Sequence, residues 1–198
     1  MDEFVKSESK SVKANGIDVH YLERGVVGAP TVVMFHAIGM SAQIWNAIAN
    51  GLSDGFHVYS FDLRGHGDTK DDGNHYTFEK LGEDAAAVIK ELNLEGSIGI
   101  GHSAGGMAML IADSMNPGIV SKGVLVDTRV GESPMMLLHL KNKRFVSSVR
   151  SKNELFERAE RLCMRPTEVE GFSNHGKIGC FQTILKEGLD FLRTVELN

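Results

Sequence analysis

Long hydrophobic runs are missing from this sequence. No apolar stretch approaches the roughly 18 residues that a membrane-spanning helix needs, so no membrane association is expected. An excess of basic charge is missing too: 21 Lys and Arg stand against 26 Asp and Glu, a net charge of −5. That leaves no electrostatic footprint for nucleic acid or for an anionic membrane surface. Cysteine is scarce, with only Cys163 and Cys180, both late in the chain. One disulfide is open to such a pair, but two reduced thiols in a cytoplasmic protein are the expectation. The opening Met1-Asp2-Glu3-Phe4-Val5-Lys6 is charged and lacks the apolar core of a secretory signal. No internal repeat or low-complexity tract appears. What is present is ordinary for a globular domain, 42% hydrophobic and 24% charged residues. The length of 198 residues predicts a single domain over 1–198 with one sizeable core.

The order of patterns predicts strands alternating with helices. Residues 17–22 alternate in polarity and follow the turn pair Asn15-Gly16, as expected of a hairpin strand. Residues 31–35 form a short β-branched and aromatic run opened by Pro30, which reads as a buried strand. Ser41 is placed to cap a helix whose apolar face is Ile44, Trp45, Ile48 and Leu52. Residues 57–61 are a further strand, ending at Asp62. Thr77 is placed to cap the next helix, with Phe78, Leu81, Ala85, Val88 and Leu92 at helical spacing and Tyr76 and Leu81 as a staple. Residues 97–100 are a third buried strand, 104–115 a helix stopped by Pro117-Gly118, and 123–126 a fourth strand ending at Asp127. Strands and helices in this order imply right-handed crossovers, hence an α/β fold with a mostly parallel sheet covered by helices on both faces. Beyond Thr128 the pattern turns mostly helical, with one weak extended stretch at 167–170.

The chemistry points to Gly101-His102-Ser103-Ala104-Gly105. A Gly-x-Ser-x-Gly match is weak alone, but this one lies between a buried strand and a helix. A serine nucleophile has to stand on a tight, strained turn so that its hydroxyl projects above the sheet. Side chains two residues to either side would collide with neighbouring backbone, which explains Gly101 and Gly105. The helix beginning at Ala104 adds a positive dipole end and a free N–H for a developing oxyanion. The competing reading is a glycine-rich turn of a nucleotide-binding fold, which would want Gly-x-Gly-x-x-Gly; that is absent. A second segment agrees. His36-Ala37-Ile38-Gly39-Met40 follows the first buried strand, where the backbone N–H of Ile38, or of Ala37, is placed to be the other oxyanion donor. A plain loop with a packed histidine is the alternative there.

The motifs Asn15-Gly16-Ile17, His36-Ala37-Ile38-Gly39, Phe61-Asp62-Leu63-Arg64-Gly65-His66-Gly67-Asp68 and Gly101-His102-Ser103-Ala104-Gly105-Gly106 together resemble the α/β-hydrolase superfamily, in its branch of small serine esterases and haloperoxidase-like enzymes. The resemblance covers residues 15 to about 130. Ala37 departs from it, since relatives usually carry glycine there. The resemblance implies that the Asp62–Asp68 segment is a structural turn, which sets His66 and Asp68 aside as catalytic candidates. His102 must point away from the nucleophile, and His57 lies on a buried strand.

A serine nucleophile needs a histidine base and an orienting carboxylate, and the resemblance implies the chain order serine, acid, histidine. The stretch after Ser103 is short for a usual cap and two more strand–helix units. Either the chain stops within or soon after the cap, or its C-terminal strands are reduced and the tail keeps the base. On the second account His175, after the 167–170 stretch, is the base; a surface loop histidine is the other reading. Asp127, at the end of the strand after the nucleophile helix, is the acid candidate, against a loop-forming aspartate. Residues 130–165 are expected to form a helical cap, with Met135, Met136, Leu137 and Leu138 lining a pocket or packing in the core.

The leading expectation is a serine hydrolase that cleaves a small ester, lactone or similar acyl substrate through an acyl-enzyme, with no cofactor and no metal. The alternatives are a catalytically impaired member that acts by ligand binding, and a chain that self-associates through an unpaired sheet edge.

Overall fold

In the computed structural model the residues described are 7–70, 73, 76–128 and, as backbone only, 145–147. The chain divides into two compact units, Met1–Val146 and Ser147–Asn198; every side chain described below belongs to the first.

The chain enters through an antiparallel hairpin, β1 (Glu8–Ala14) and β2 (Ile17–Gly25). Ala14 pairs with Ile17, so the connection is the two residues Asn15 and Gly16, both at positive φ (48° and 82°). That is the conformation a two-residue hairpin turn of matching twist demands, and Asn-Gly is the pair that adopts it most readily. β1 was not expected from the sequence. As an edge strand it keeps serines and lysines facing water, so it lacks the apolar alternation by which strands are recognised.

The remaining strands are β3 (Thr31–Phe35), β4 (His57–Phe61), β5 (Ser97–His102), β6 (Val120–Val126) and β7 (Phe145–Ser147). They form one sheet in the order β1-β2-β4-β3-β5-β6-β7. β4, β3, β5 and β6 run parallel, and β2 joins β4 antiparallel. The expected mostly parallel α/β sheet is therefore present. Val33, Phe35, Tyr59 and Phe61 share a core with α2 (Phe78–Glu91) and α3 (Ala104–Met115). The alternate positions Val32, Met34 and Val58 point to the opposite face, and they are buried as well. Phe35 and Phe61 stack at the centre, rings 5.3 Å apart.

Three local expectations change. The helix after β3 opens as a 3-10 turn (Ala42–Trp45) before α1 (Asn46–Leu52), and the Ser41 hydroxyl makes no capping bond. Thr77 does cap α2, accepting the Lys80 N–H, but Phe78 stays 45% exposed outside the apolar face. Within the stretch expected to be a helical cap, 130–165, residues Phe145–Ser147 are extended as β7. Met135 to Leu138 lie outside the described residues.

Polar groups join the elements that the apolar core does not. Arg64, almost fully buried, makes two 2.8 Å hydrogen bonds to the carboxylate of Asp84 on α2. Asn15 donates to the same carboxylate at 2.6 Å, so the first hairpin turn, the loop after β4 and α2 meet at one anion. Removing one partner of such a pair strands the other charge, at about 3–5 kcal/mol. Asp84→Leu is therefore expected to lower the urea midpoint by an amount worth about 3–5 kcal/mol, and Arg64→Met with Asp84→Leu together to recover most of it; equilibrium unfolding of both variants checks this.

Candidate active site

Parallel strands end together, so β3, β4, β5 and β6 deliver their following loops to one edge of the sheet. Ser103 follows β5 directly and precedes α3. Its φ of 50° and ψ of −111° lie outside the regions that a residue with a side chain normally occupies. The turn is held from both sides. The Ser103 N–H donates to the Val126 carbonyl at 2.9 Å, and its own carbonyl accepts the Met107 N–H at 3.1 Å. Ser103 thus caps α3 with its backbone while its hydroxyl makes no cap bond. Serine at a helix N-terminus ordinarily spends that oxygen on the helix; here the strained backbone keeps it out of that role.

The glycines explain how the turn fits. A Cβ at Gly101 would stand 2.5 Å from the Cα of Gly106. One at Gly105 would stand 2.2 Å from the carbonyl oxygen of Phe35 and 2.6 Å from that of His36. No real Cβ makes such contacts, so the first turn of α3 lies flush against the end of β3. The expected role of these two glycines is met, with the colliding atoms now named.

The loop after β3 is fixed by His36, whose side chain is fully buried. Its Nδ1–H donates to the Ala37 carbonyl at 2.8 Å, and its Nε2 accepts the Leu63 N–H at 2.9 Å. A carbonyl only accepts and an amide only donates, so these two bonds select one neutral tautomer. Burial pushes its pKa down to about 4, against smaller upward pulls from the Ala37 bond and the Asp62 charge; His66, whose ring lies 5.3 Å away, adds to the lowering. His102, half-buried beside the nucleophile position, is likewise pushed down to about 4 by burial and by His36. Ala37 also accepts the Met40 N–H at 3.2 Å, while Ile38, 64% exposed, forms the tip of that turn.

Asp62 organises the loop after β4. Its Oδ2 accepts His20 Nδ1–H at 2.7 Å and Asp68 N–H at 2.9 Å, and its Oδ1 accepts the Ala42 N–H. His20, Asp62 and Asp68 bring donor atoms within 4.8 Å of one another, the spacing of a metal cluster. Asp62 already holds three N–H groups, however, and His20 Nε2 meets the Ser9 hydroxyl at 2.8 Å. These contacts make the cluster a hydrogen-bonded turn. His66 donates from Nδ1 to the Arg64 carbonyl, and His57, at the opposite end of β4 from the loop edge, bonds Glu23 at 2.7 Å.

Asp127 immediately follows Val126, the residue that holds the Ser103 N–H, so it leaves the sheet one strand from the nucleophile position. It is exposed with φ 45°, a left-handed conformation that aspartate tolerates better than most residues. His175 lies outside the described residues. Sequence reasoning did not foresee the two-sided hold of His36 or the hub at Asp62. The structural turn that the resemblance implied over Asp62–Asp68 is present, but the partners that Asp62 and His36 gather from other segments had no signal beyond position, a histidine closing β3 and an aspartate closing β4.

A family model described as the alpha/beta hydrolase fold matches residues 30–161. A bifunctional esterase/perhydrolase of Acinetobacter calcoaceticus is 32% identical over 115 residues, covering 57% of this chain and 41% of that protein. A karrikin insensitive 2 receptor of Petunia hybrida is 31% identical over 103 residues, covering 50% of this chain and 38% of the receptor. Among solved structures, an epoxide hydrolase from Vigna radiata matches with TM-score 0.60 and 26% identity over 65% of this chain and 43% of that one. The matched part spans less than half the length of these relatives.

A histidine whose folded pKa lies below its unfolded value supports folding fully above the unfolded value and loses that support as pH falls. For His36 the window runs from pH 6.5 down to about 4, and the loss across it is on the order of 3 kcal/mol. The urea midpoint is expected to fall across this window, starting above the carboxylate range. His36→Gln, measured at each pH, is expected to reduce that slope, leaving the part that His102 contributes.

Proposed function

Because the chain belongs to the alpha/beta hydrolase fold family, we propose that it is a serine hydrolase acting on a small ester, lactone or similar acyl substrate through an acyl-enzyme on Ser103. The observation that carries this reading is the conformation of Ser103. A φ of 50° at a non-glycine residue, with its hydroxyl making no bond to the helix that it caps, is a strained arrangement in which the oxygen is not spent on the helix.

In the proposed reaction Ser103 Oγ attacks the acyl carbon while its proton passes to His175 as general base. The carbonyl oxygen becomes an oxyanion held by the N–H groups of Ile38 and Ala104, the latter at the positive end of α3. The intermediate collapses, the C–O bond to the leaving alcohol breaks, and the histidine returns the proton to that alcohol. Water, activated by the same histidine, then releases the acid and restores Ser103. Asp127 orients the histidine. In its favour stands its place one residue after the strand partner of Ser103. The residues taking part in proton transfer are all side chains of this chain, and no cofactor enters the scheme.

A second reading has an observation behind it. The similarity to a protein named as a receptor favours ligand binding as this chain's role. The two separate on one set of measurements, hydrolysis of short nitrophenyl esters and labelling by a fluorophosphonate. Wild type is expected to hydrolyse the ester and to be labelled at Ser103. Ser103→Ala is expected to lose label and at least about 10³-fold in kcat, and His175→Ala to lose turnover on a similar scale. A folded wild type that binds ester analogues but neither turns over nor labels belongs to the receptor reading. Loss of activity in Ser103→Ala alone makes His175 the wrong base.

A further inference from the structure

We propose that Ser9 is a second nucleophile of this chain, activated by His20 and Asp62, and that it takes an acyl group from small activated donors such as thioesters or aryl esters. The proposal goes beyond the reading at Ser103 and does not rest on it.

The arrangement is built by the entering hairpin. Its two-residue turn fixes the register so that Ser9 faces Leu22 and Ser11 faces His20. All four side chains therefore lie on one face of the hairpin, with Ser9 diagonal to His20 and within reach of it. The Ser9 hydroxyl meets His20 Nε2 at 2.8 Å, and His20 Nδ1 meets Asp62 Oδ2 at 2.7 Å. A carboxylate only accepts, so Nδ1 carries the proton and the neutral ring offers its Nε2 lone pair to the Ser9 O–H. Hydroxyl, imidazole and carboxylate thus follow one another at the distances of a nucleophile, its base and an orienting acid. Such a constellation is defined by geometry and not by chain order.

Exposure and support fit that role. Ser9 is exposed, whereas His20 and Asp62 are buried, so a reagent reaches the hydroxyl while the base behind it is shielded. The His20 backbone is held on both sides: its N–H donates to the Thr69 hydroxyl at 2.8 Å, and its carbonyl accepts the Asp62 N–H at 3.0 Å. The Asp62 carboxylate is fixed in turn by the N–H groups of Asp68 and Ala42. Neither base nor acid has to move for a proton to pass.

In the reaction the bond from Ser9 Oγ to the acyl carbon forms as the hydroxyl proton passes to His20 Nε2. The imidazolium then stands between the carboxylate of Asp62 and that of Asp68, whose Oδ2 lies 3.9 Å from Nε2. The bond to the leaving group breaks, and that group takes the proton from His20. The Asp68 side chain is 80% exposed, and its charge on the open side opposes a developing oxyanion. A good leaving group is therefore needed to drive acylation. The alkyl ester left on Ser9 has a poor one and persists, so the event is one acylation per chain and not turnover.

The test uses the full chain carrying Ser103→Ala, so that the other candidate nucleophile takes no part. After exposure to p-nitrophenyl acetate, peptide mass spectrometry with and without hydroxylamine separates esters on serine from amides on Lys10 and Lys13. Ser9 is expected to be acetylated at least about 100-fold faster than Ser11, the contribution of a positioned base. His20→Gln is expected to bring Ser9 down to the Ser11 rate. Ser9→Cys and Ser11→Cys are compared in parallel for alkylation by iodoacetamide at neutral pH, mapped by peptide. With His20 beside the thiol, Ser9→Cys is expected to react at least about 10-fold faster. Acetylation of Ser9 at the Ser11 rate, or equal alkylation of the two thiols, overturns the proposal. A folded His20→Gln variant that keeps Ser9 reactive overturns it as well. Where His20→Gln fails to fold, the two comparisons that retain His20 decide. Neither readout involves Ser103, so failure here leaves the reading of that residue standing, and absence of ester turnover in wild type leaves this one.

Discussion

The carboxylate of Asp62 is the point on which the functional edge of the sheet hangs. Three N–H groups converge on it, from the His20 ring, from Asp68 in its own loop and from Ala42 at the end of the loop after β3. Each comes from a different segment, so one anion fixes the relation of β2, the β4 exit and the start of the first helix. Charge-assisted hydrogen bonds are stronger than neutral ones, and a buried anion left without them is expensive. That asymmetry gives the hub its authority: the chain has few alternatives that satisfy all three donors. Leu63, adjacent to it, extends the same support to His36 and so to the turn at Ile38.

A division of labour follows from this. Apolar packing sets the frame, with Phe35 and Phe61 stacked at the sheet centre and α2 and α3 laid across the same face. It is tolerant of detail, since apolar contacts have no direction. The loops at the carboxyl edge are set by directional bonds instead: Asp62 and His36 for the loop after β3, Arg64 and Asp84 for the loop after β4, and the Val126 carbonyl for Ser103. Direction is what a reaction centre requires. The strained turn at Ser103 persists because helix, neighbouring strand and glycine contacts all over-determine it.

The parts of this plan that lie in short-range pattern were legible in the sequence. Buried strands showed as β-branched runs, Asn15-Gly16 announced its hairpin, and Gly101 to Gly105 announced the strand-to-helix turn. The relations that depend on long-range pairing were not. β1 is too polar to register as a strand, because its neighbour β2 supplies the apolar side of the pair. Phe78 fits the helical spacing of α2 yet stays largely exposed, as spacing gives a direction around the helix without saying where the core ends. Ser41 has a capping side chain, but the 3-10 turn after it makes no use of the hydroxyl. Arg64 and Asp84 are twenty residues apart, and nothing local couples them. For the candidate site, the nucleophile position and its loop could be read, whereas the histidine partner lies in the stretch where pattern itself runs thin.

The seam of glycines beneath Ser103 has a consequence for how this surface can change over time. Gly101 backs onto Gly106, and Gly105 onto the carbonyls that end β3, at distances that admit no carbon atom. Lineages that explore new specificities cannot do so by varying these positions, and a laboratory library randomised across them is expected to return glycine there among its folded members. Ile38, by contrast, stands two-thirds in solvent on a loop whose backbone is anchored elsewhere. Variation is thereby channelled away from the floor and onto the rim, where a side chain can be exchanged while the frame below it stays in place.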